Sequence, residues 1–376
     1  MLHRSKSRVA VAAAAGTVCA LAATGAAMAA PTPAWSPHNP AVPHAYTNTT
    51  PALSQIQVNG QLGTFLAWKG QADDKVQYKY RLNGTWHATK VIPGAYTNTS
   101  PSAALFATKL GKQAVLVAWK SIGKTGGLSK IKYSDGVVAA NGSISWTTPH
   151  VLPGGLYSET SASPALLFPA NATQPRVIVA YRGPFAHVRI EIGTEIGTAG
   201  RGFSWGTKKV KSAWVNPSDT TGETSAQPAL AEILGAGGSG TVYVFWKGNG
   251  AVAPIYYATT SDLAGHGLDG DATLTWSSPP STVPDSDGVD GLAQTTGSPA
   301  VASADIHGDG PLLLAYKGPG GFYIRYQTLG TSGWSAHQFV TGNNRTTALG
   351  PALVHGTLAN VSRTDARIFL HSYLAG

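Results

Sequence analysis

Three short segments place an aromatic ring two residues before a polar side chain. In an extended segment, residues i and i+2 point to the same side, so the ring and the polar group would face one ligand. An aromatic ring stacks on the apolar face of a pyranose, and an amide or carboxylate binds the sugar hydroxyls. The segments are Tyr46-Thr47-Asn48-Thr49, Tyr96-Thr97-Asn98-Thr99 and Tyr157-Ser158-Glu159-Thr160. We therefore predict ligand binding at Tyr46, Asn48, Tyr96, Asn98, Tyr157 and Glu159.

The same residue types also fit a purely structural role. A Tyr before a Thr-rich turn can pack between repeats, while an Asn caps the turn. Two further copies of the segment lack the Tyr, and in the sequence alignment Glu223 and Gln294 take the polar position. Glu223 joins the ligand-binding candidates, and both interpretations of the segment stay open.

The acidic candidates raise glycoside hydrolysis as an alternative to simple binding. Hydrolysis needs two carboxylates across one glycosidic bond. Glu159 and Glu223 fall in equivalent loops of adjacent repeats and could converge at a channel mouth. The sequence contains no G-x-S-x-G, no H-E-x-x-H and no Gly-rich phosphate loop followed by Lys. The binding interpretation thus has no catalytic residue, whereas the hydrolase alternative uses Glu159 and Glu223.

No cofactor or metal is predicted. The segment from Asp305 to Gly310 resembles the calcium loops of integrin-type propeller repeats, but His307 replaces an oxygen donor and the segment occurs once. Calcium favours several convergent oxygens, so a plain acidic turn is the expectation at Asp305-Asp309. A cation follows an aromatic residue in five repeats, where we expect it to pair locally rather than bind anions. These cations are Lys69, Lys120, Arg182, Lys247 and Lys317.

The elements that must position these residues form a sixfold repeat. Each copy starts with Pro and two small or apolar residues, followed by an apolar run, an alternating strand and, in five copies, a lone Trp. The starts are roughly 50 to 70 residues apart, the length of a four-stranded propeller blade with variable loops. They lie at Pro51, Pro101, Pro164, Pro228, Pro299 and Pro351.

The sixth copy is divided between the two chain ends. It runs off the C-terminus after Ile368-Phe369-Leu370, so its third strand is expected to be short or absent. Trp35, near the N-terminus, supplies the missing Trp of this copy. Val42-Pro43 follows Trp35 in the same way that Ile92-Pro93 follows Trp86 in another copy. The sequence therefore predicts an all-β, six-bladed β-propeller in which residues 30–46 close the last blade.

The order Pro-Ala-Leu, apolar-Ala-Trp-Lys-Gly, Ile-x-Tyr and Trp resembles the repeats of secreted actinobacterial β-propellers. These repeats are similar to those of propeller lectins and, more distantly, to the sialidase superfamily. The resemblance covers nearly all of the mature chain and implies the fold, with carbohydrate binding as the expected activity. A sialidase would be expected to show repeated Asp boxes, yet Ser134-Asp135-Gly136 lacks a Trp at the required spacing.

Residues 1–29 read as a secretory signal peptide. Arg4, Lys6 and Arg8 precede an Ala-rich apolar stretch, and Ala27-Met28-Ala29 offers a cleavage site. The only cysteine, Cys19, lies inside this segment, so no disulfide is expected. Residues 30–376 would then form a single domain that is secreted and extracellular. Charged residues make up only 12% of the chain and are dispersed, so nucleic acid is not an expected partner. No segment after the signal is long and apolar enough to span a bilayer, so no membrane span is expected.

These observations predict a secreted, lectin-like module that binds carbohydrate through loops on one face of the propeller. The expected partner is a carbohydrate or a cell-surface glycan. The first alternative is a propeller-type glycoside hydrolase with a sialidase-like fold. The second is a protein-interaction subunit of an extracellular complex, which would bind another protein through the same loops.

Overall fold

The computed structural model describes seventeen segments of the chain. In these segments the chain forms strands β1 to β30 in six sheets, with one 3-10 turn at Val289–Gly291 and no α-helix. No helix among them is long and apolar enough to cross a membrane. The described residues are 34–36, 40–122, 129–152, 157–158, 164–169, 176–183, 186–195, 203–205, 223–234, 240–261, 276–277, 279–286, 288–304, 310–341, 347, 349–362 and 364–374.

Each sheet is one antiparallel blade, in which successive strands run from the axis outward. The N-terminal strands are β1 (Ala34–Trp35) and β2 (Ala41–Tyr46). Blade 1 contains β3 (Ala52–Val58), β4 (Gln61–Lys69), β5 (Lys75–Leu82), β6 (Thr85–Trp86) and β7 (Lys90–Tyr96). Blade 2 contains β8 (Ser102–Ala107), β9 (Gln113–Lys120), β10 (Ser129–Val138), β11 (Ile144–Trp146), β12 (His150–Val151) and β13 (Tyr157–Ser158). Blade 3 contains β14 (Ala165–Leu167), β15 (Arg176–Arg182), β16 (Val188–Glu195) and β17 (Phe203–Trp205).

The remaining blades repeat this pattern, and the last one uses both chain ends. Blade 4 contains β18 (Ala229–Leu234), β19 (Gly240–Lys247), β20 (Ala253–Thr260), β21 (Ser281–Thr282) and β22 (Gln294–Thr295). Blade 5 contains β23 (Ala300–Ser303), β24 (Leu312–Lys317), β25 (Ile324–Gly330), β26 (Gly333–Trp334) and β27 (Gln338–Phe339). Blade 6 contains β28 (Ala352–Val354), β29 (Thr357–Val361) and β30 (Arg367–Leu374), with β1 and β2 as its outer edge.

The N-terminal strands close the ring, as the split repeat predicts. Trp35 of β1 pairs with Tyr373 of β30, and Ala41 of β2 pairs with Phe369. Closure also joins blade 6 to blade 1, because the buried Lys79 Nζ donates a hydrogen bond of 2.6 Å to the Pro43 carbonyl. The prediction of a short or missing third strand in the sixth copy is wrong. Its second strand is β29, and β30 is a third strand of eight residues.

The hydrophobic core lies between neighbouring blades rather than within one sheet. In blades 1 to 5 the aromatic residue near the end of the second strand is fully buried there, as Trp68, Trp119 and Tyr181 show. The outer-strand Trp residues pack at the same interfaces: Trp146, from blade 2, contacts Tyr78 of blade 1 with ring centroids 5.3 Å apart. Burying such a ring removes a large apolar area from water and contributes about 2–3 kcal/mol.

The Pro-small-apolar starts of the repeats line the propeller axis. Pro is tolerated at these positions because the first residue of an inner strand need not donate to a neighbouring strand. The third residues of the motif form a ring of apolar side chains, which we call the waist. Cavities of about 90 Å³ and 290 Å³ lie on the two sides of this ring. The waist consists of Leu53, Ala103, Leu166, Leu230, Val301 and Leu353.

Candidate functional site

A buried threonine anchors the turn that leads into the inner strand in five described blades. Its hydroxyl accepts a hydrogen bond of 3.1 Å from the backbone N–H two residues later. Each of these side chains has an exposed fraction of 0%. Such side-chain bonds fix the local turn. We call the face formed by these turns the upper face, and its anchors are Thr47, Thr97, Thr224, Thr295 and Thr347.

The anchors define the register of the candidate residues. Tyr46, Tyr96, Glu223 and Gln294 each directly precede an anchor, so Glu223 lies at the Tyr position and not at the position of Asn48. The residue equivalent to Asn48 in that copy is Ser225. The sequence alignment, which put Glu223 and Gln294 in the polar position, is therefore corrected by two residues.

Tyr46 and Tyr96 present their rings to solvent. Their exposed fractions are 38% and 49%, so neither ring is packed between blades as the structural alternative required. Asn48 and Asn98 are exposed as well. The backbone pairs each Tyr with a cation at the start of the third strand, Tyr46 with Arg367 and Tyr96 with Lys75. Both turns thus combine an exposed Tyr ring with an Asn two residues later and with a cation at the paired position of the neighbouring strand.

The third Tyr copy has the same backbone register. Tyr157 pairs with Lys130 in β10, just as Tyr96 pairs with Lys75 in β5. Glu159 and the side chain of Tyr157 lie outside the described residues, so their roles remain predictions. The Tyr–cation pairing consequently covers consecutive blades, beginning at the strand that closes the ring.

The cations that end the second strands pair locally, as predicted, in the two blades where bonds are described. Lys69 Nζ donates to Asn48 Oδ1 at 3.3 Å and to the Gly70 carbonyl at 3.0 Å, and it lies 3.4 Å from Asp74. Lys247 Nζ donates to Ser225 Oγ at 2.6 Å. Asn48 and Ser225 hold the same turn position, so the lysine ties each turn to its own blade.

Lys120 shows what burial does to a cation at this position. Its exposed fraction is 3%, and its pKa is lowered first by burial and then by the charge of Arg182 in the next blade. The positive charges of two neighbouring blades thus repel each other here.

Blade 5 holds an exposed aromatic cluster that the sequence interpretation missed. Tyr323 and Phe339 are 45% and 46% exposed, and their rings meet edge to face at 6.2 Å. The Arg325 guanidinium lies 5.5 Å from the centre of the Phe339 ring. The Thr347 N–H donates a hydrogen bond to the Phe322 carbonyl, just as the Thr97 N–H donates to the Asp74 carbonyl in blade 1. Tyr323 therefore holds in blade 5 the position that Lys75 holds in blade 1. Here the exposed ring comes from the residue directly before the third strand instead of from the turn.

The buried carboxylate of Asp285 holds the Arg325 side chain of this cluster in place. The Asp285 side chain is 1% exposed and lies 3.6 Å from Arg325 Nη1 and 2.8 Å from His337 Nδ1. The Tyr316 hydroxyl donates to Asp285 at 3.3 Å, and burial, followed by the Asp285 charge, raises the pKa of this phenol. Arg325 is therefore held in place behind Phe339, which keeps the aromatic surface ordered.

Comparison with known proteins identifies the architecture. No protein-family model and no curated protein matches the sequence. Among solved structures, the α-L-arabinofuranosidase Arb93A from Fusarium graminearum in complex with an iminosugar inhibitor superposes with a TM-score of 0.54 at 15% identity, covering 89% of this chain and 97% of that one. The α-L-arabinanase of Penicillium chrysogenum gives 0.52 at 13%, covering 92% and 98%. The Hadza microbial sialidase Hz136 gives 0.51 at 13%, covering 88% and 66%. At these identities the likeness shows the fold alone, which is a β-propeller.

The described acidic residues do not surround the upper end of the axis. The cavity of about 90 Å³ lies on the upper side of the waist, and we call it the upper cavity. It is bounded by the repeat starts and by the residues before them, among them Thr50, Gln227 and Ser298. No carboxylate lines it among the described residues. Glu223 lies on a turn instead, where its Oε2 accepts a hydrogen bond of 2.8 Å from Asn249. The spacing of Glu159 and Glu223 remains a prediction, because Glu159 is outside the described residues.

The predicted acidic turn at Asp305-Asp309 also lies outside the described residues. Elsewhere in the described ranges, no group of three or more His, Cys, Asp or Glu side chains could hold a metal ion.

Proposed function

We propose that the protein is a secreted carbohydrate-binding β-propeller that recognises glycans on its upper face. The observation that carries the proposal is the recurrence of an exposed Tyr ring at one fixed position, Tyr46 in blade 6 and Tyr96 in blade 1. A ring at this position offers a stacking surface for a pyranose, and the exposed Asn two residues on offers both a donor and an acceptor to hydroxyls. Secretion is supported by the signal-like sequence of residues 1–29.

The arrangement favours several weak sites over a single deep one. The turns are held by buried threonines and, where described, by lysines, so the rings lie at fixed separations on a rigid scaffold. Binding through several fixed sites multiplies weak contacts into useful avidity when the glycan spans them. The exposed rings of Tyr323 and Phe339 add a candidate contact on blade 5.

Retention on polysaccharide columns tests this proposal. The mature protein should be retained, and a triple variant with Tyr46→Ala, Tyr96→Ala and Tyr157→Ala should elute in the void volume. The matched triple Tyr→Phe variant keeps the rings and should retain most of the binding. Equal retention of the Ala variant and the wild type would refute the proposed sites, whereas capture of a protein insensitive to free sugars would favour an interaction subunit.

Glycoside hydrolysis is the second candidate, and the comparisons favour it over binding alone. The superposed structures are an α-L-arabinofuranosidase, an α-L-arabinanase and a sialidase. In this chain the reaction would use Glu159 and Glu223, one as acid and the other as base or nucleophile.

A substrate screen separates this candidate from binding alone. The wild type should release sugar from an arabinoside, an arabinan or a sialoside, and Glu159→Gln and Glu223→Gln should each abolish the release. Asp290→Asn is the control, because Asp290 is an exposed acid at a positive φ of 58°, where Asn is tolerated. Release that survives both Gln substitutions would exclude this pair as the catalytic carboxylates.

A further inference from the structure

The lower side of the waist contains a cavity of about 290 Å³ to which all six inner strands contribute. It lies toward the loops between first and second strands, on the opposite side of the waist from the Thr-anchored turns. Small side chains keep it open directly below the waist: Ser54, Ala104, Ala231 and Ala302. Its volume would hold roughly ten water-sized groups at about 30 Å³ each.

The next layer of the cavity has two chemically different sides. Leu105 and Phe168, from blades 2 and 3, form the apolar side, and Phe168 is stacked on Phe106 at 4.4 Å. Glu232 of blade 4, Ser303 of blade 5, His355 of blade 6 and Gln55 of blade 1 contribute polar groups to the other side. These six residues occupy equivalent positions two residues beyond the waist. The repeat therefore conserves the backbone here while the side chains divide the layer into an apolar and a polar half.

We propose that this cavity binds one small amphipathic molecule per chain, with a hydrocarbon body and a hydroxyl or amine group. The hydrocarbon lies against Leu105 and Phe168, where its apolar surface leaves water. The hydroxyl or amine faces Glu232 and Gln55, which offer hydrogen-bond acceptors. This site is separate from the glycan positions and does not depend on them.

Fluorescence titration with 1-naphthylamine tests the proposal, because this neutral aryl amine brightens and shifts to the blue in an apolar site. The mature wild-type protein should bind it saturably with one molecule per chain. Ala104→Phe fills the cavity and Phe168→Asn removes its apolar side, so each should weaken binding at least tenfold. Leu110→Asn is the matched control, since Leu110 is a 52% exposed residue on a lower-face loop that does not line the cavity.

The polar side of the cavity provides a second readout. Naphthalene has the same ring system without a polar group and should compete at least tenfold more weakly than 1-naphthol. Absence of saturable binding to the wild type, or unchanged affinity in folded Phe168→Asn protein, would overturn the proposal. Phe168→Asn decides the outcome if Ala104→Phe does not fold, and equal competition by naphthalene would refute the role of the polar side.

Discussion

Replacing Glu191 by Gln should stabilise the protein at neutral and alkaline pH. Glu191 lies in β16 at the position that Lys79 and Gln327 hold in their blades, and it is only 6% exposed. Lys79 and Gln327 donate hydrogen bonds to the carbonyls of Pro43 and Pro284 in the preceding blade. An ionised carboxylate has no proton to donate there. The equivalent position therefore favours the protonated form of Glu191.

The pKa of Glu191 sets the size and direction of the effect. Burial raises it from 4.5 to about 7, and the positive charge of Arg189 offsets only part of the rise. Between these two values the folded protein keeps a proton that the unfolded chain has released, so the free energy of unfolding falls as the pH rises. Above pH 7 the free energy of unfolding is therefore lower than at pH 4.5 by about 3 kcal/mol, because each pH unit between the two pKa values costs about 1.36 kcal/mol.

Urea unfolding followed by tryptophan fluorescence measures this effect, because Trp68, Trp119 and Trp246 are fully buried. At pH 8 the Glu191→Gln variant should be more stable than the wild type by about 3 kcal/mol, and the difference should vanish toward pH 4.5. Glu223→Gln, on a surface turn, is the control and should track the wild type at each pH. An equal free energy of unfolding for Glu191→Gln and the wild type at pH 8 would show that the reasoning is wrong.

Other substitutions test ring closure and the turns. His371 in the closing blade is fully buried, and burial lowers its pKa to about 4, so the free energy of unfolding should fall by up to about 3 kcal/mol as the pH drops from about 6.5 to 4. His371→Gln should remove that fall in urea unfolding, and an unchanged pH profile would refute the assignment. Lys79→Met removes the bond to Pro43 across the closure and should cost about 1–3 kcal/mol, whereas Lys130→Met on the surface should cost little. Thr97→Val removes a turn anchor and should lower the free energy of unfolding by about 1 kcal/mol. It should also weaken retention on a glycan column, and unchanged retention would show that the order of this turn does not contribute to binding.

The propeller could be predicted because its signals are local and repeated. The Pro starts, the aromatic strand ends and the displaced Trp35 each mark one strand, and together they fix both the number of blades and the closure. The sixth copy misled the sequence interpretation for a physical reason. Its second strand contains Asn360, whose Oδ1 lies 2.7 Å from Nε2 of His371, and this buried polar pair interrupts the apolar run. The neighbouring run at Ile368 was the more obvious strand.

The candidate site was only partly predictable. The repeated Tyr pointed to the correct turn, but the register around Glu223 depends on which threonine anchors it, and several occur nearby in the sequence. The hydrogen bond that the Ala226 N–H donates to Thr224 Oγ1 decides this, and a sequence does not show it. The cluster of Tyr323 and Phe339 was missed because its members lie on separate segments, and the pairing of β25 with β27 brings Phe339 close to Tyr323, which directly precedes β25.

A glycan array tests the central claim most directly. Labelled mature protein should bind at least one class of glycan, and the triple variant Tyr46→Ala, Tyr96→Ala and Tyr157→Ala should lose that signal while it unfolds at the same urea concentration as the wild type. Each lost ring is worth about 0.5–1.5 kcal/mol, or up to about tenfold in affinity, so the triple loss should exceed any single one. A wild-type protein that binds no glycan, or a triple variant with an unchanged binding profile, would contradict carbohydrate recognition by the upper face.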